Sequence, residues 1–326
     1  MPVARALSRR LAVFVASLLV ASVVVFGLIN LLPGDVAGVI LGSSAKPGDI
    51  DALRQQMGLN VAAPLRYLHW IGGLLHGDFG LSAISATPIG PMLASTLGVT
   101  FSLVILGMIV AVALALPLGA FAAMRRRRVS GTVVSALSQI GMSVPAFLAG
   151  WALVMLFAVK LHWLPANGYT KLTQDPLDWL RRLILPVLAL GIIQAAVLVR
   201  YVRGAFVDVL SQDYFRTARS VGWTSRRALL RHGVRNAALQ IATVIGLQLG
   251  TLLVGAVVIE NVFALPGMGA LLLASVSTHD LPVVQAIVMV LVAFILAINA
   301  IVDMAYAAID PRLRSGDATD DEGAEA

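Results

Sequence analysis

Three observations predict an all-α, polytopic membrane protein with six transmembrane helices and both termini in the cytoplasm. Of the 326 residues, 59% are hydrophobic and only 13% charged, against roughly 45–50% and about 25% in soluble domains. Six stretches reach the roughly 20 apolar residues that a hydrocarbon core requires. Finally, the basic residues divide very unevenly between alternate loops, which is what fixes orientation in a bilayer.

The first span, Leu11–Leu32, follows Arg5, Arg9 and Arg10 as a signal peptide would. Its apolar run is about twice the 7–15 residues of a signal core, and it ends in Leu32-Pro33-Gly34-Asp35, not at a small-residue cleavage site. A retained helix is expected. The outer loop Pro33–Thr96 follows, with Asp49 placed to cap a short helix, Gly58 to stop it, and Pro64 at the first turn of another. Leu65, Tyr67, Leu68, Trp70 and Leu75 make that second stretch amphipathic, and it closes in His76-Gly77-Asp78-Phe79-Gly80. Two readings fit this loop: a lid on the membrane surface, or a surface that receives a delivery protein. The other spans are expected at Leu97–Met124, Thr132–Val159, Leu183–Val199, Leu239–Ile259 and Val283–Ile309. Pro117, Pro145 and Pro186 fall in or at the start of spans, where a missing N–H kinks a helix that its neighbours then satisfy.

With the N-terminus inside, inner segments carry 17 of the 24 basic residues and outer segments 7. The net charge of +7 is thus concentrated beside the membrane, where it marks topology and contact with the bilayer, and no nucleic-acid partner is expected. From Asp317 onward the tail has five acids and no base, a composition that favours disorder. The chain divides into residues 1–96 (first span and outer loop), 97–311 (a five-helix core with a cytoplasmic loop at 200–238) and 312–326 (acidic tail).

Eight arginines occupy that cytoplasmic loop: Arg200, Arg203, Arg216, Arg219, Arg226, Arg227, Arg231 and Arg235. Phe215, Ala218 and Val221 recur at helical spacing, and Gly222 stands where a left-handed residue ends a helix. Thr224 or Ser225 can cap a second helix, on which Arg227, Arg231 and Arg235 share a face at i+4 spacing. The result is a helix, a tight turn and a helix, with Trp223 in an apolar corner. The plainer reading is a topology anchor touching lipid phosphate; the sharper one is a protein-docking element, favoured by small residues beside an exposed Trp.

Other chemistry is sparse. None of Lys46, Lys160 and Lys171 follows a glycine, so there is no phosphate-binding Gly-Lys-Ser/Thr loop. The five histidines lack metal-ligand spacing, no nucleophile–base set stands out, and the chain has no cysteine; no enzyme activity, metal or cofactor of its own is expected. Asp303 is the clearest intramembrane acid, expected to pair with a basic group near the inner face or, alternatively, to touch cargo. Gln139, Gln194, Gln248, Gln285 and Asn299 can hydrogen-bond between helices. Glu260, Phe263, Pro266, Gly267 and Gly269 cluster at the outer end of the fifth span, as either a re-entrant outer gate or an ordinary capped turn.

The loop resembles the EAA loop of ABC-importer membrane subunits. Its Ala and Gly marks are Ala218 and Gly222, with Arg216-Thr217 where the family's name expects Glu-Ala. Asp213-Tyr214 ahead and Arg235-Asn236-Ala237 behind are similar to the dipeptide/oligopeptide/nickel class. So are Leu32–Asp35, His76–Gly80, the run from Glu260 through Gly269, Asp280–Gln285, and the exit from Val302-Asp303 to Asp310-Pro311-Arg312. Two departures are Gln240 in place of a loop proline, and Val36 in place of a second proline after Asp35. The resemblance implies a type I importer permease fold, a homologous partner permease, two cytoplasmic ATPases that bind ATP and Mg, and an external solute-binding protein. It implies that Arg216, Thr217, Ala218, Arg219, Ser220, Val221, Gly222 and Trp223 form the ATPase-coupling helix, supported by Asp213, Tyr214, Arg235 and Asn236. Cargo is expected to be a dipeptide, oligopeptide or related solute, a nickel chelate being an alternative. An ATPase-independent transporter or channel using Asp303, and a membrane scaffold that merely recruits a cytosolic protein, are the rival readings.

Overall fold

A computed structural model describes residues 2–31, 48, 51, 54–55 and 60–309. The Leu32–Asp35 motif, the expected cap at Asp49 and stop at Gly58, and the acidic tail lie outside these residues. Among the described residues all regular structure is helical, apart from an isolated bridge between Leu81 and Pro88. The helices are α1 (Pro2–Asn30), α2 (Ala63–Leu75), α3 (Ile89–Met124), α4 (Val129–Ser143), α5 (Ala146–Leu153, continuing as a π-helix over Val154–Lys160) and α6 (Pro176–Ser211). They continue as α7 (Asp213–Ser220), α8 (Ser225–Ala228, followed by a π-turn Leu229–Gly233), α9 (Val234–Val262), α10 (Met268–Ser277) and α11 (Leu281–Ile309).

Five of these helices are long and apolar enough to cross a membrane, and α4 with α5 makes a sixth if the bent pair is one span. That third span, expected over Thr132–Val159 with a kink at Pro145, is bent far more sharply than a kink: it breaks by 99° between Ser143 and Ala146. Pro145 lacks an N–H, and steric pressure from its ring drives Val144 out of the helical region, to φ −86° and ψ 121°. By contrast, Pro117 and Pro186 sit inside continuous helices. The fourth span is also longer than expected. α6 runs 36 residues from the Asp175 cap, whose carboxylate accepts from the N–H groups of Leu177 and Asp178. Arg200 and Arg203 therefore belong to a helix, and the true turn region starts at Gln212.

The chain forms two compact units. Among the described residues, one comprises 2–7, 101–265 and 298–309, and the other falls within Ser8–Thr100 and Pro266–Ala297.

In the first unit, α6 is the central helix, burying Leu183, Leu185, Leu190, Leu198, Val202, Phe206 and Val209. Small residues let its neighbours close in. A Cβ on Gly191 would lie 2.7 Å from Val110 and 3.1 Å from the Gly107 carbonyl, and one on Gly119 would lie 2.5 Å from Val202. Without a hydrophobic drive between helices in lipid, such backbone approach and interhelical hydrogen bonds carry the association. Gln194 donates to Gln248 at 2.9 Å, joining α6 to α9, and Ser138 donates to the Ala196 carbonyl at 2.7 Å, joining α4 to α6. At the start of α6, Asp178 accepts from Thr170 and from Arg182 Nε (2.7 Å), while Arg182 Nη1 donates to the Asn167 carbonyl at 3.0 Å. The neighbouring Gly168 N–H reaches the Phe263 carbonyl at the end of α9 (3.2 Å).

In the second unit, Ile89, Leu93, Met268, Val283, Ala286 and Ile287 form a buried core against which Phe79 packs. α2 lies on α1: the Tyr67 and Ser22 hydroxyls meet at 2.8 Å, and Phe26 stands edge-on to Tyr67 at 5.5 Å. The His76–Gly80 motif is a helix stop. Gly77 takes φ +77°, and Asp78 N–H returns to the Gly73 carbonyl at 2.9 Å. Buried Asp280 starts α11, its carbonyl accepting from Val284, while its carboxylate accepts from the Ser82 hydroxyl and the Ala83 N–H (3.0 Å).

One helix end carries strain that can be removed. Ala264, just past α9, holds φ +49° while Leu265 N–H bonds back to the Glu260 carbonyl at 2.8 Å. A left-handed conformation costs an L-residue roughly 1–2 kcal/mol that glycine is spared. Ala264→Gly is therefore expected to stabilise the chain by about 0.5–1 kcal/mol after the added unfolded-state entropy is deducted. A rise in the thermal midpoint in detergent would show this; a fall would mean the alanine methyl makes a contact worth more than the strain.

Candidate functional site

The basic elbow is built from the end of α6 outward. Gln212, extended at φ −72° and ψ 149°, ends α6 and starts α7. In α7 Phe215 is buried and roots the short helix, while Thr217 and Ser220 donate to the carbonyls of Asp213 (3.0 Å) and Thr217 (2.8 Å). Asp213 and Arg216 face one another at 3.6 Å on the exposed side, a pairing that contributes little in water.

The helix stops in a Schellman turn. Gly222 takes φ +93°, its N–H bonds to the Arg219 carbonyl at 3.1 Å, and Trp223 N–H bonds to the Ala218 carbonyl at 3.1 Å. The four-residue spacing from Ala218 to Gly222 is thus the spacing of the turn itself: one residue supplies the acceptor carbonyl and the other the left-handed backbone. Arg219 Nη1 adds a bond to the Trp223 carbonyl at 2.9 Å. Of the two caps expected for the following helix, Thr224 is the one used, its Oγ1 accepting from Arg227 N–H at 3.3 Å.

Arg227 and Arg231 both stack on Trp223, their guanidinium carbons 4.9 and 5.6 Å from its ring. Such cation–π pairs hold an aromatic ring in one orientation. A π-turn over Leu229–Gly233 follows, and Arg227 and Arg231, four residues apart as expected for one face, share the same ring. The Arg235 side chain lies outside the described residues, and Asn236 is exposed on α9.

The elbow brings Asp213 through Trp223 into one element. Beneath, Phe215 anchors it; on top, Val221 is 73% exposed, with Gly222 beside it and Tyr214 and Arg219 exposed on the helix. The tip is thus an exposed apolar side chain on a turn held by two backbone hydrogen bonds, with several arginines on the same element.

The residues of the expected outer gate fall in both units. Glu260 and Phe263 are fully buried in the first, where Phe263 packs beside Gly150. In the second, Gly267 is extended at φ −96° and ψ 178° and precedes the short apolar helix α10, whose Met268 N–H donates to Thr100 Oγ1 at 2.8 Å. Pro266 is exposed and Gly269 buried. Asp303 belongs to α11, but its side chain is outside the described residues. Sequence reasoning passed over the role of Asp280, whose only mark was a place in a motif, and over the cavity beside Arg203.

Residues 115–315 match the family described as "Binding-protein-dependent transport system inner membrane component", and residues 3–116 match its N-terminal counterpart. The chain is 36% identical over 306 residues to a "Probable peptide ABC transporter permease protein" of Sinorhizobium fredii, covering 94% of this chain and 98% of that protein. It is 42% identical to the "Glutathione transport system permease protein GsiC" of Salmonella choleraesuis, covering 94% and 97%. A solved structure of an amino acid ABC transporter aligns at a TM-score of 0.48 and 16% identity, over 67% of this chain and 94% of that one.

Proposed function

The chain belongs to the binding-protein-dependent transport system inner membrane component family, and on that premise we propose that it imports short peptides, glutathione among them, as one of two permease halves. It is a multi-pass permease subunit of an ABC importer. In the proposed assembly a homologous permease completes the pathway, an external binding protein delivers cargo, and two ATPases on the cytoplasmic side bind ATP with Mg. This chain contributes no hydrolytic chemistry. Both termini and the elbow lie on the ATPase side, as the 17-to-7 division of basic residues favours.

The observation that carries the coupling role is the elbow's construction. α7 follows the long α6 directly after Gln212 with Phe215 buried, the Schellman turn fixes Gly222, and Val221 is left exposed at the tip. An ATPase cleft that closes on such a tip moves α6 with it. The nucleotide cycle would thereby tilt the helix bundle between its two accesses.

The absence of cysteine allows a clean test. In Val221→Cys the only thiol is at the tip. A membrane-impermeant maleimide is expected to label it in inverted vesicles, to leave it unlabelled in intact cells, and to be blocked when the ATPases are co-assembled. Labelling of intact cells would overturn the orientation; equal labelling with and without the ATPases would overturn the docking. Uptake of labelled dipeptide and glutathione, lost on deletion and restored by the chain with its partners, tests the cargo separately.

A further inference from the structure

A cavity of about 50 Å³ opens within the first unit between α4 and α6, lined by Ser135, Ser138, Gln139, Val199, Arg200 and Arg203. It holds several waters' worth of space, too little for a peptide and enough for one tetrahedral oxyanion. Two of its six lining residues are arginines and none is an acid. Its charge is one-sided, and its strongest donor is unpaired. The Ser135 hydroxyl proton is committed to the Gly131 carbonyl (3.0 Å) and that of Ser138 to the Ala196 carbonyl (2.7 Å). Arg200 spends one Nη on the Tyr201 hydroxyl (3.2 Å) while stacking on that ring. Arg203 Nε is buried with no hydrogen-bond partner, an arrangement that is costly unless something compensates it.

Depth narrows the choice of ligand. Arg182 and Arg203 are 21 positions apart on one helix, or about 32 Å, close to the thickness of a bilayer's hydrocarbon core. Arg203 therefore stands at the headgroup level on the α7 side. On α4, near Gln139 in sequence, Leu137 and Ile140 are 61% and 62% exposed, so the helix that lines the cavity also carries apolar surface that acyl chains can cover.

We propose that this cavity is a phosphate-binding site filled by the headgroup of an anionic phospholipid. The Arg203 guanidinium turns onto the phosphate oxygens, Arg200 and the Gln139 amide close over them, and the acyl chains lie along Leu137 and Ile140. Arginine suits this role because its planar fork grips two phosphate oxygens at once. The proposal is independent of what the protein transports.

The test uses the full-length chain in nanodiscs of equimolar phosphatidylglycerol and phosphatidylcholine, with co-released lipids counted by native mass spectrometry. Two variants act differently: Arg203→Gln removes the charge, whereas Ser135→Leu fills the cavity and keeps both arginines. Each is expected to lower phosphatidylglycerol retention about tenfold, the scale of a lost bidentate charge-assisted contact, and to leave phosphatidylcholine retention as it was. Unchanged phosphatidylglycerol retention in both, or equal loss of the two lipids, overturns the site. Should Arg203→Gln fail to fold, Ser135→Leu alone decides by the same readout. If excess inorganic phosphate displaces the retained lipid and binds in its absence, the occupant is free phosphate and the lipid assignment falls.

Discussion

Replacing Gly222 by valine is expected to lower coupled uptake at least about tenfold while leaving the chain able to fold and insert. The expectation rests on which part of the structure the substitution touches. No atom lies within 4 Å of where a Cβ on Gly222 would sit, yet the residue holds φ +93°. Packing therefore has nothing to object to; only the backbone conformation does. A left-handed β-branched residue costs about 2 kcal/mol or more, which shifts the turn against its native form roughly 30-fold. Both returning hydrogen bonds, to the Ala218 and Arg219 carbonyls, are lost with it, and Val221 no longer projects in a fixed direction. ATP hydrolysis and peptide uptake, measured together in proteoliposomes holding the whole importer, separate the outcomes. Hydrolysis without uptake is the expected result. Gly222→Asn should fall between, since asparagine tolerates this region better. Normal uptake by the valine variant would mean that the shape of the turn does not transmit the cycle.

Gly191→Val is expected to act at the opposite level, on folding, and to eliminate most correctly assembled protein. Here the space is absent: the new Cβ would meet Val110 side-chain carbons at 2.7 and 2.8 Å and the Gly107 carbonyl oxygen at 3.1 Å. The side chain could swing away, but the carbonyl is fixed in α3. Separating α3 from α6 sacrifices a close backbone crossing, at a cost of about 3 kcal/mol, the upper range for overpacking. Membrane-inserted yield and the thermal midpoint in detergent check this. A compensating Val110→Ala should recover part of the loss. If Gly191→Val melts as the parent does, the crossing is looser than its distances say.

How far these features were legible beforehand follows from what kind of signal each leaves. The stop at Gly222 and the cap at Thr224 could be read because a glycine and a hydroxyl stand at positions that helix ends demand. Ala264 and His279 do the same left-handed duty at φ +49° and +59°. With no glycine to mark them, local composition is silent there. Pro145 announced a kink, since a missing N–H is a property of the residue. Its 99° size is set by what the two arms pack against, such as Gly150 against Phe263, and is not a local property. α6 was read too short because its apolar run ends at Val199, where Arg200 and Arg203 begin the basic stretch. The apolar positions Val202, Ala205, Phe206 and Val209 nevertheless keep a 3–4 spacing, and the helix keeps its buried face. The elbow's cation–π stacking was hidden because it brings Arg227 and Arg231 of one helix over Trp223 of the preceding turn, a meeting that composition does not mark.

The unbroken length of α6 has a mechanical consequence. Thirty-six residues of continuous helix span about 54 Å, more than the hydrocarbon core, and behave as a stiff strut with the elbow at one tip and the Thr170–Asp178–Arg182 clasp at the other. On the proposed coupling, a push at Gln212 would reach the clasp along α6 itself, with Pro186 the one place where a missing ladder hydrogen bond lets the strut flex. No relay of side chains is required, and a flexible insertion midway along the strut should silence the conversation while each end stays intact.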